Sequence, residues 1–395
     1  MRKKELILAI NGGSSSIKFA LFESATSLTE ILNGVVENIG SSKTVFSFNN
    51  IVTGETNSVC VKTLDHTAAA LIIINFLKGQ SSFTALKAIG HRIVYGMQHT
   101  APEKITSLLL DELKKISEYD PEHLPEEIIL IELFTQYYPE TMQVACFDTA
   151  FHTTMPAVAK MLGIPRKYFN KGIQRYGFHG LSYAYLMEEL KNIAGEEAVK
   201  DRIILAHLGS GASLAAVKNG KSVDTTMGFT PASGLPMGTR SGDIDPGVAW
   251  YLMKFEKLTP EQFSHLINHE SGLLGISETS ADIRQLQELE KADSRAAEAI
   301  EFFCYQTKKW IGSYAAVLNG LDTLVFSGGI GEHSPEVRSK ICNGFLFLGI
   351  ELDEIKNMNN AAIVSTDASK VTVHIIKTNE ELMMAKLVCK LMNKK

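Results

Sequence analysis

Two segments of this chain repeat one pattern, in which an apolar strand is followed by a turn of glycine and serine and then by a second apolar strand. The segments LILAINGGSSSIKFAL (Leu6–Leu21) and RIILAHLGSGASLAAV (Arg202–Val217) lie in different halves of the sequence. Their matched positions are Leu8 with Leu205, Ala9 with Ala206, Gly12 with Gly209, and Ser16 with Ser213. One copy of a repeat in each half predicts two related domains that face each other across a cleft. The alternative is a chance likeness between two β-hairpins.

The bulk composition predicts a soluble, cytoplasmic α/β protein. Strand-like and helix-like segments alternate along all 395 residues, a length that suits two or three domains. The net charge of −5, without a basic block, argues against nucleic-acid binding. The five cysteines are scattered with no CxxC pair, which favours a reducing compartment over a zinc site or a disulfide scaffold. The apolar part of MRKKELILAI is too short for a signal peptide, and the longest apolar stretch, Ala68–Leu77, is too short to span a bilayer.

Three glycine-rich turns, each directly after an apolar strand, suit the binding of phosphate by backbone N–H groups. Besides the two hairpin turns, DTLVFSGGIGEHS places a third turn within Asp322–Ser334. The first hairpin has more glycine and serine than a simple hairpin needs. A glycine–serine turn alone is more often an ordinary turn, but three together favour a phosphate site. NGKS at Asn219–Ser222 is not a P-loop, because Ala215 stands where that motif has glycine.

Four charged or polar residues stand at the ends of strand-like runs or in glycine-rich loops, where α/β proteins bind ligands. Arg92 lies in GHRIVYG, Asp148 in FDTAFH and His179 in RYGFHG. Arg240 lies in the long loop MGFTPASGLPMGTRSGDIDPG, Met227–Gly247. Two arginines suit two anionic reactants, because a guanidinium binds carboxylate or phosphoryl oxygens through two parallel hydrogen bonds. Together with the turns, these residues predict a kinase whose acceptor is a carboxylate.

Six motifs, in order and over nearly the whole chain, resemble the acetate kinase family. They are NGGSSSIKF, FDTAFHTTMP, RYGFHG, MGFTP…GLPMGTRSGDIDPG, FSGGIGE and TNEEL, and they lie between residues 11 and 382. That family belongs to the actin, Hsp70 and sugar-kinase superfamily, so the resemblance implies two duplicated, RNase H-like α/β domains that flank an active-site cleft. We therefore expect an N-terminal domain over residues 1–150, joined by the C-terminal helix 379–395, and a nucleotide-binding domain over residues 151–378.

The resemblance implies a role for each residue that matches a family motif. The implied catalytic residues, which orient the acceptor and stabilise charge on the transferred phosphoryl group, are Asp148, His179 and Arg240. The residues implied to bind the carboxylate and to line the small pocket around its acyl group are Arg92, Val94, Phe178 and Pro231. The implied ligands of Mg²⁺, or of Mn²⁺ in its place, are Asn11 and Glu380. The implied nucleotide contacts are Lys18, His207, Leu208, Gly209, Ser210, Gly211, Asp282, Ile283, Arg284, Gly328, Gly329, Ile330, Gly331 and Glu332.

The reaction that the resemblance implies is a reversible, in-line transfer of the γ-phosphoryl group of ATP to acetate, which gives acetyl phosphate and ADP. A homodimer is implied as well. A propionate or butyrate kinase would use the same loops. A non-enzymatic ATP-binding relative of actin or Hsp70 would lack the residues on the acceptor side, and a sugar kinase would need groups that bind hydroxyls.

The chain departs from the family pattern at several positions. Ser210 and His333 stand where the family usually has Asn, and Tyr95 and Met97 replace His and Gly. Glu122 stands where the family has a leucine that lines the acyl pocket. A buried carboxylate beside an anionic substrate is unfavourable unless it is paired or turned outward. We therefore expect either that Glu122 points away from the pocket or that the acceptor is not simple acetate.

Glu380 also has a purely structural interpretation. Thr378 and Glu381 have the spacing of a capping box at the start of the last helix, where acidic residues serve the helix itself. Only the family resemblance favours a metal role for Glu380.

Overall fold

The computed structural model describes residues 5–24, 28–63, 65–80 and 86–393. Its backbone contacts divide the chain into two units. Unit 1 takes Met1–Ala150, Gly180–Tyr185 and Asn379–Lys395, and unit 2 takes Phe151–His179 and Leu186–Thr378. The sequence did not indicate that Gly180–Tyr185 belongs with unit 1. The charged start of MRKKELILAI, residues 1–4, and the end of the predicted helix 379–395, residues 394–395, lie outside the described residues.

The described residues form strands and helices in alternation, as the sequence predicts. The strands are β1 (Glu5–Gly12), β2 (Ser16–Ser24), β3 (Leu28–Glu37), β4 (Val45–Asn50), β5 (Glu55–Cys60), β6 (Leu86–Ile93), β7 (Glu103–Lys104), β8 (Met142–Phe147), β9 (Arg202–Leu208), β10 (Ala212–Lys218), β11 (Lys221–Thr225), β12 (Thr323–Ser327) and β13 (Thr372–Ile375). The α-helices are α1 (His66–Lys78), α2 (Ser107–Ile116), α3 (Leu124–Tyr137), α4 (Ala157–Lys160), α5 (Arg166–Phe169), α6 (Gly180–Ala194), α7 (Pro246–Phe255), α8 (Pro260–His269), α9 (Gly272–Ser277), α10 (Ile283–Leu289), α11 (Ser294–Leu318), α12 (Gly328–His333), α13 (Pro335–Cys342), α14 (Glu354–Met358) and α15 (Glu380–Met392). Short 3₁₀ segments occupy Ser117–Tyr119, Asp148–Thr154, Ala198–Lys200 and Phe345–Leu348.

The two sheets repeat one arrangement of five strands. The sheet of unit 1 has the order β5-β4-β3-β2-β1-β6-β8-β7, and the sheet of unit 2 has the order β11-β10-β9-β12-β13. In unit 1, β3, β2 and β1 pair antiparallel, and β6 and β8 continue the sheet in parallel. In unit 2, β11, β10 and β9 pair antiparallel, and β12 and β13 continue in parallel. The expectation of duplicated α/β domains is confirmed, and the two similar hairpins hold the same place in the two sheets.

The sheet of unit 1 is covered on both faces, because successive residues of a strand point to opposite sides. On β1, Leu8 and Ile10 are buried with side chains of α1 and α3. Ile7 and Ala9, one residue away, are buried with Met384 and Val388 of α15. This packing holds the first turn of α15 near the carboxyl end of β1.

The sheet of unit 2 is built from strands that are buried almost throughout, as in parallel sheets with helices on both faces. Its longest helix, α11, begins where the side chain of Asp293 accepts a hydrogen bond from the N–H of Arg295. It ends at Asn319, which has a left-handed backbone (φ +61°) that asparagine tolerates better than most residues. Within the described parts of the chain, no helix combines the length and the apolar character needed to cross a membrane.

Candidate active site

The ends of two parallel strands bring Arg92 and Asp148 together in unit 1. Arg92 pairs with Cys146 in the ladder between β6 and β8, and Asp148 follows directly after β8. The Nη2 and Nε atoms of Arg92 donate to Oδ2 of Asp148 at 2.6 and 3.1 Å. Asp148 is fully buried, and burial raises the pKa of its carboxyl although the guanidinium opposes that rise. Burial works against the charge of Arg92 too, but Asp148 and Glu380 outweigh it and hold the pKa of Arg92 above its ordinary range.

Asn11, at the end of β1, joins this ion pair to the last helix. Its Oδ1 accepts a hydrogen bond from Nη1 of Arg92 at 3.2 Å. Its Nδ2 donates to Oε2 of Glu380 at 2.9 Å and to Oε1 of Glu381 at 2.8 Å. The amide of Asn11 is thereby fixed from both sides, and the four side chains around it form one network.

Lys18 lies opposite Asn11 in the antiparallel ladder of β1 and β2 and is exposed. Burial and then the charge of Glu380 raise the pKa of Glu381, and the positive charge of Lys18 opposes that rise. Lys18 is therefore close enough to α15 to act on the charge of Glu381, and it lies two residues after the glycine–serine turn between β1 and β2.

His179, in unit 2, has a left-handed backbone (φ +58°) directly before α6. Its Nδ1 lies 2.8 Å from Oγ of Ser213, and its ring stacks on that of His207 with 4.3 Å between centroids. A Cβ at Gly211 would lie 3.3 Å from Nε2 of His179, so a side chain there would crowd the ring. Glycine at position 211 allows the turn between β9 and β10 to lie close to the imidazole of His179.

The loop with Arg240 is held by backbone hydrogen bonds to its surroundings, although it has no regular secondary structure. The N–H of Gly238 donates to the carbonyl of Ser210 at 3.1 Å, which ties the loop to the turn between β9 and β10. The N–H of Met237 donates to the carbonyl of Arg240 at 3.0 Å. Gly272 approaches so closely that a Cβ would lie 2.1 Å from the carbonyl oxygen of Met237. Arg240 is therefore on a constrained loop and is half-buried.

The turn Gly328–Glu332 is the start of α12, directly after β12. Gly328 has φ +75°, and a Cβ there would lie 2.6 Å from the carbonyl oxygen of Leu208. Glu332 turns inward, since its Oε1 accepts from the N–H groups of Gly328 at 2.9 Å and of Thr378 at 3.2 Å. Outside the turn itself, none of the described residues has an atom within 4 Å of a Cβ built at Gly329, so this part of the turn is open.

Among the other expected nucleotide contacts, Asp282 caps α10 through the N–H of Arg284, and its carboxylate pairs with that guanidinium at 2.6 Å. Ile283 is buried, whereas Arg284 and Ser210 are exposed. The residues expected around the acyl group, Val94 of unit 1 and Phe178 and Pro231 of unit 2, are all buried.

A sequence model of the Acetokinase family matches residues 6–386. The chain belongs to the acetokinase family. It is 40% identical to the acetate kinase of Geobacillus kaustophilus, over 98% of this chain and 99% of that protein. The crystal structure of Porphyromonas gingivalis acetate kinase is similar with a TM-score of 0.86 and 36% identity, over 98% of this chain and 100% of that one. A propionate kinase from Francisella tularensis gives a TM-score of 0.90 and 36% identity, over 97% of this chain and 98% of that one.

Membership of the acetokinase family confirms the prediction of a phosphotransferase with a carboxyl group as acceptor. The non-enzymatic and sugar-kinase alternatives fall away, because the relatives with the same fold over the whole chain are carboxylate kinases by name.

The acetokinase reaction implies Mg²⁺. The side chains of Asp148, Asn11 and Glu380 in unit 1 have the chemistry to bind this ion. In the part of the chain that the structure describes, no three His, Cys, Asp or Glu side chains form a group that could hold a metal ion by themselves. Mg²⁺ does not need such a group, since it keeps several waters and takes one or two carboxylates together with substrate phosphates. Asp148 and Glu380 supply carboxylate oxygens, and Oδ1 of Asn11 lies in the same network. This donor set fits the ion.

The predicted capping box of Thr378 and Glu381 is wrong. The N-cap of α15 is Asn379, whose Oδ1 accepts from the N–H of Leu382 at 2.8 Å. The side chain of Glu381 instead accepts from Asn11. Asparagine at the cap leaves both acidic residues of the first turn available for the cluster, because the helix takes its capping bond from the residue before them.

The sequence did not single out three side chains that contact predicted site residues. Glu127 of α3 accepts from the N–H of Val94, Ser213 lies against His179, and Nε2 of His152 lies 3.0 Å from the carbonyl oxygen of Phe178. The matched position of Ser213 in the internal repeat was the one signal for any of them.

Glu122 is half-buried, and His333 is exposed with Nε2 at 3.8 Å from Oε2 of Glu332.

Proposed function

We propose that this member of the acetokinase family catalyses the reversible transfer of the γ-phosphoryl group from ATP to acetate. An oxygen of acetate attacks the γ-phosphorus while the bond from that phosphorus to the bridging oxygen of ADP breaks. One P–O bond replaces another, and no proton is transferred. The observation that carries this proposal is the Arg92, Asp148, Asn11 and Glu380 network at the carboxyl ends of the strands of unit 1.

In this reaction, Arg92 binds the carboxylate of the acceptor. Its Nη2 and Nε atoms both engage Asp148, and Nη1 reaches Asn11, so the guanidinium is oriented before the substrate arrives. Preorganised charge of this kind avoids reorganisation during the reaction. Asp148 orients Arg92 and, with Asn11 and Glu380, would hold Mg²⁺. When bound, Mg²⁺ neutralises phosphate charge that would repel the attacking carboxylate.

His179 and Arg240 stabilise charge on the transferred phosphoryl group. The contact of 2.8 Å between Nδ1 of His179 and Oγ of Ser213 orients the imidazole ring for this role. The backbone hydrogen bonds of its loop fix the position of the Arg240 backbone. The turns Gly209–Gly211 and Gly328–Glu332, with Lys18 and the segment Asp282–Arg284, bind the nucleotide.

A trapping assay tests the proposed function. The protein is incubated with Mg-ATP and with acetate, propionate, butyrate or glucose, and hydroxylamine traps any acyl phosphate as the hydroxamate. We expect strong hydroxamate formation with acetate, and its loss in the Arg240→Ala variant. Arg295→Ala is the matched control, because Arg295 is an exposed arginine of unit 2 that pairs with Glu278 outside the site. Binding of ATP without hydroxamate from any carboxylate would refute the proposal.

A propionate kinase is the second candidate, favoured by the TM-score of 0.90 to a protein with that name. The same assay decides, since the ratio of kcat/KM for propionate and acetate reports the preferred acyl chain. A ratio above one would assign the chain to propionate.

We also propose a homodimer that uses helix α7. None of the residues of α7 is buried, and Trp250, Tyr251 and Phe255 expose 57%, 50% and 55% of their surface. Exposed aromatic side chains in one helix are typical of an interaction surface. Trp250→Glu should shift the sedimentation coefficient of the protein from dimer to monomer.

A cytoplasmic location accords with this function, because ATP is the phosphoryl donor. All five cysteines are free, and Cys146, Cys304 and Cys342 are buried, which suits a reducing compartment.

A further inference from the structure

The backbone N–H of Val94 lies just beyond the end of a strand ladder. The pairing of β6 with β8 ends at Ile93 and Phe147, so Val94 is the first residue after the ladder. Both carboxyl oxygens of Glu127 lie 3.1 Å from the nitrogen of Val94. Buried backbone N–H groups need an acceptor, and here a side chain from helix α3 provides it.

Glu127 is held in place by the helix that carries it. It is 2% exposed, and its neighbours on α3, Leu124, Ile128 and Ile131, are buried. Its carboxyl group therefore has little freedom to leave the N–H of Val94. An ionisable side chain is a costly way to satisfy one N–H, because burial of a charge is unfavourable.

Arg92 and Val94 are two positions apart at the end of β6, with only Ile93 between them. The directions in which the side chains of Arg92 and Val94 point depend on the backbone of this short segment. Arg92 is oriented by Asp148 and Asn11, but Val94 has its backbone fixed by Glu127. A shift of Val94 would move the wall of the acyl pocket while Arg92 kept its partners.

We propose that Glu127 is a positioning residue that fixes Val94 and thereby sets the acyl-chain selectivity of the kinase. This inference rests on the proposed function, since it takes Val94 as a wall of the acyl pocket. Glu127 acts through the backbone of Val94 and does not touch the substrate.

The charge state of Glu127 agrees with this role. Burial and the charge of Asp120 raise the pKa of Glu127 well above its ordinary value, although Arg92 opposes that rise. Protonation of Glu127 would remove the negative charge that competes with a substrate carboxylate for Arg92. A protonated carboxyl group still accepts a hydrogen bond from Val94.

Kinetics of Glu127→Met and Glu127→Gln test the inference. Methionine keeps the size of the side chain but removes the acceptor, and glutamine keeps one acceptor oxygen. For Glu127→Met we expect the KM for acetate to rise about tenfold, because the N–H of Val94 loses its partner. The KM for ATP should stay within about twofold, while the kcat/KM ratio of propionate to acetate should change at least about threefold. Glu127→Gln should keep all three values within about twofold of the wild type.

Two further variants separate positioning from structure. Glu126→Met is the matched control, because Glu126 is the preceding, half-buried residue of the same helix. If Glu127 acts through Val94, the effects of Glu127→Met and Val94→Ala on the propionate-to-acetate ratio will not be additive. Should Glu127→Met not fold, Glu127→Ala, which also removes the acceptor, carries the same comparison.

The outcomes distinguish this inference from the proposed function. If the wild type forms no acyl phosphate, the proposed function fails. If the wild type is active and the acceptor-free variants lower the Tm but keep the KM for acetate and the selectivity ratio, Glu127 is only structural and this inference is overturned.

Discussion

Replacing Arg92 with methionine removes the cation that faces Asp148 but keeps much of the side-chain volume. The variant loses the bonds of 2.6 and 3.1 Å to Asp148 and the bond of 3.2 Å to Asn11. Asp148 is 0% exposed, so its carboxylate would remain buried without a compensating charge. Breaking a buried ion pair from one side costs about 3–5 kcal/mol. For a unit of roughly 150–250 residues, each kcal/mol shifts the Tm by about 2–4 °C, so the Tm of unit 1 should fall by roughly 6–20 °C.

Adding Asp148→Asn to Arg92→Met should restore most of this stability. Asparagine has nearly the same shape as aspartate but carries no charge, so no unpaired ion is left in the interior. The two effects on the free energy of unfolding should therefore be strongly non-additive. The activity should not return, because the double variant lacks both the cation proposed to bind the carboxylate and a proposed ligand of Mg²⁺.

Calorimetry and the hydroxamate assay on the two single variants and the double variant separate the two roles of the pair. The matched control is Arg202→Met, which breaks a pair with Asp322 in which both side chains are about one-third exposed. Partly exposed pairs contribute at most about 1 kcal/mol, so this control should lose little stability. The reasoning would be refuted if Arg92→Met were as stable as the control, or if the double variant were less stable than either single variant.

Three further outcomes follow from individual contacts. Burial lowers the pKa of His91 and of His152 from 6.5 to about 4. The neutral, buried imidazoles therefore contribute to the free energy of unfolding above pH 6.5, and this contribution is lost as the pH falls toward 4. The loss should reach roughly 3 kcal/mol per histidine, and urea unfolding of His152→Gln between pH 7 and 4.5 should show a flatter profile than the wild type. Ser213→Ala should lower kcat about tenfold through misorientation of His179, with the KM for acetate unchanged, and Ser213→Thr should recover part of the rate in steady-state assays. Gly328→Ala should raise the KM for ATP about tenfold, because a Cβ at φ +75° would strain the turn against Leu208, and titration with ATP should give the same change in affinity.

The sequence predicted the parts of the fold that local pattern controls. EEIILIELFTQYY has the spacing of a helix and forms most of α3, and the apolar run in QVACFD forms most of β8, which ends directly before Asp148. The sequence placed Arg92 and Asp148 at the ends of strand-like runs, and in the structure both lie at the carboxyl ends of the paired strands β6 and β8. The distance between them could not be predicted, because it depends on the register of β6 against β8.

Contacts between distant segments were beyond the sequence. DPEHLPEE has four acidic residues, and nothing in its pattern tells Glu127, buried against Val94, from half-buried Glu122. Which of them faces inward depends on the position at which α3 begins and on its packing against β6. The contacts of Glu381 in the first turn of α15 could not be predicted either. The N-cap is Asn379 and not Thr378, and the side chain of Glu381 therefore accepts a hydrogen bond from Asn11 instead of capping the helix.

The duplicated topology explains why similar strand ends carry different chemistry in the two units. In unit 1, β6 and β8 end at Arg92 and Asp148, two charged side chains that hold one another. In the matching strands of unit 2, β12 ends in the open glycine turn from Gly328, and β13 leads to a segment whose N–H at Thr378 is taken by Glu332. A sheet of five strands fixes where the ends lie, but the side chains there are free to differ because they are not part of the ladder. Charged groups at one set of ends suit an anionic acceptor, whereas the other set has a glycine turn whose backbone is held by the carboxylate of Glu332. The two sheets therefore share one framework of strands, and the proposed division between acceptor and nucleotide rests on side chains outside that framework.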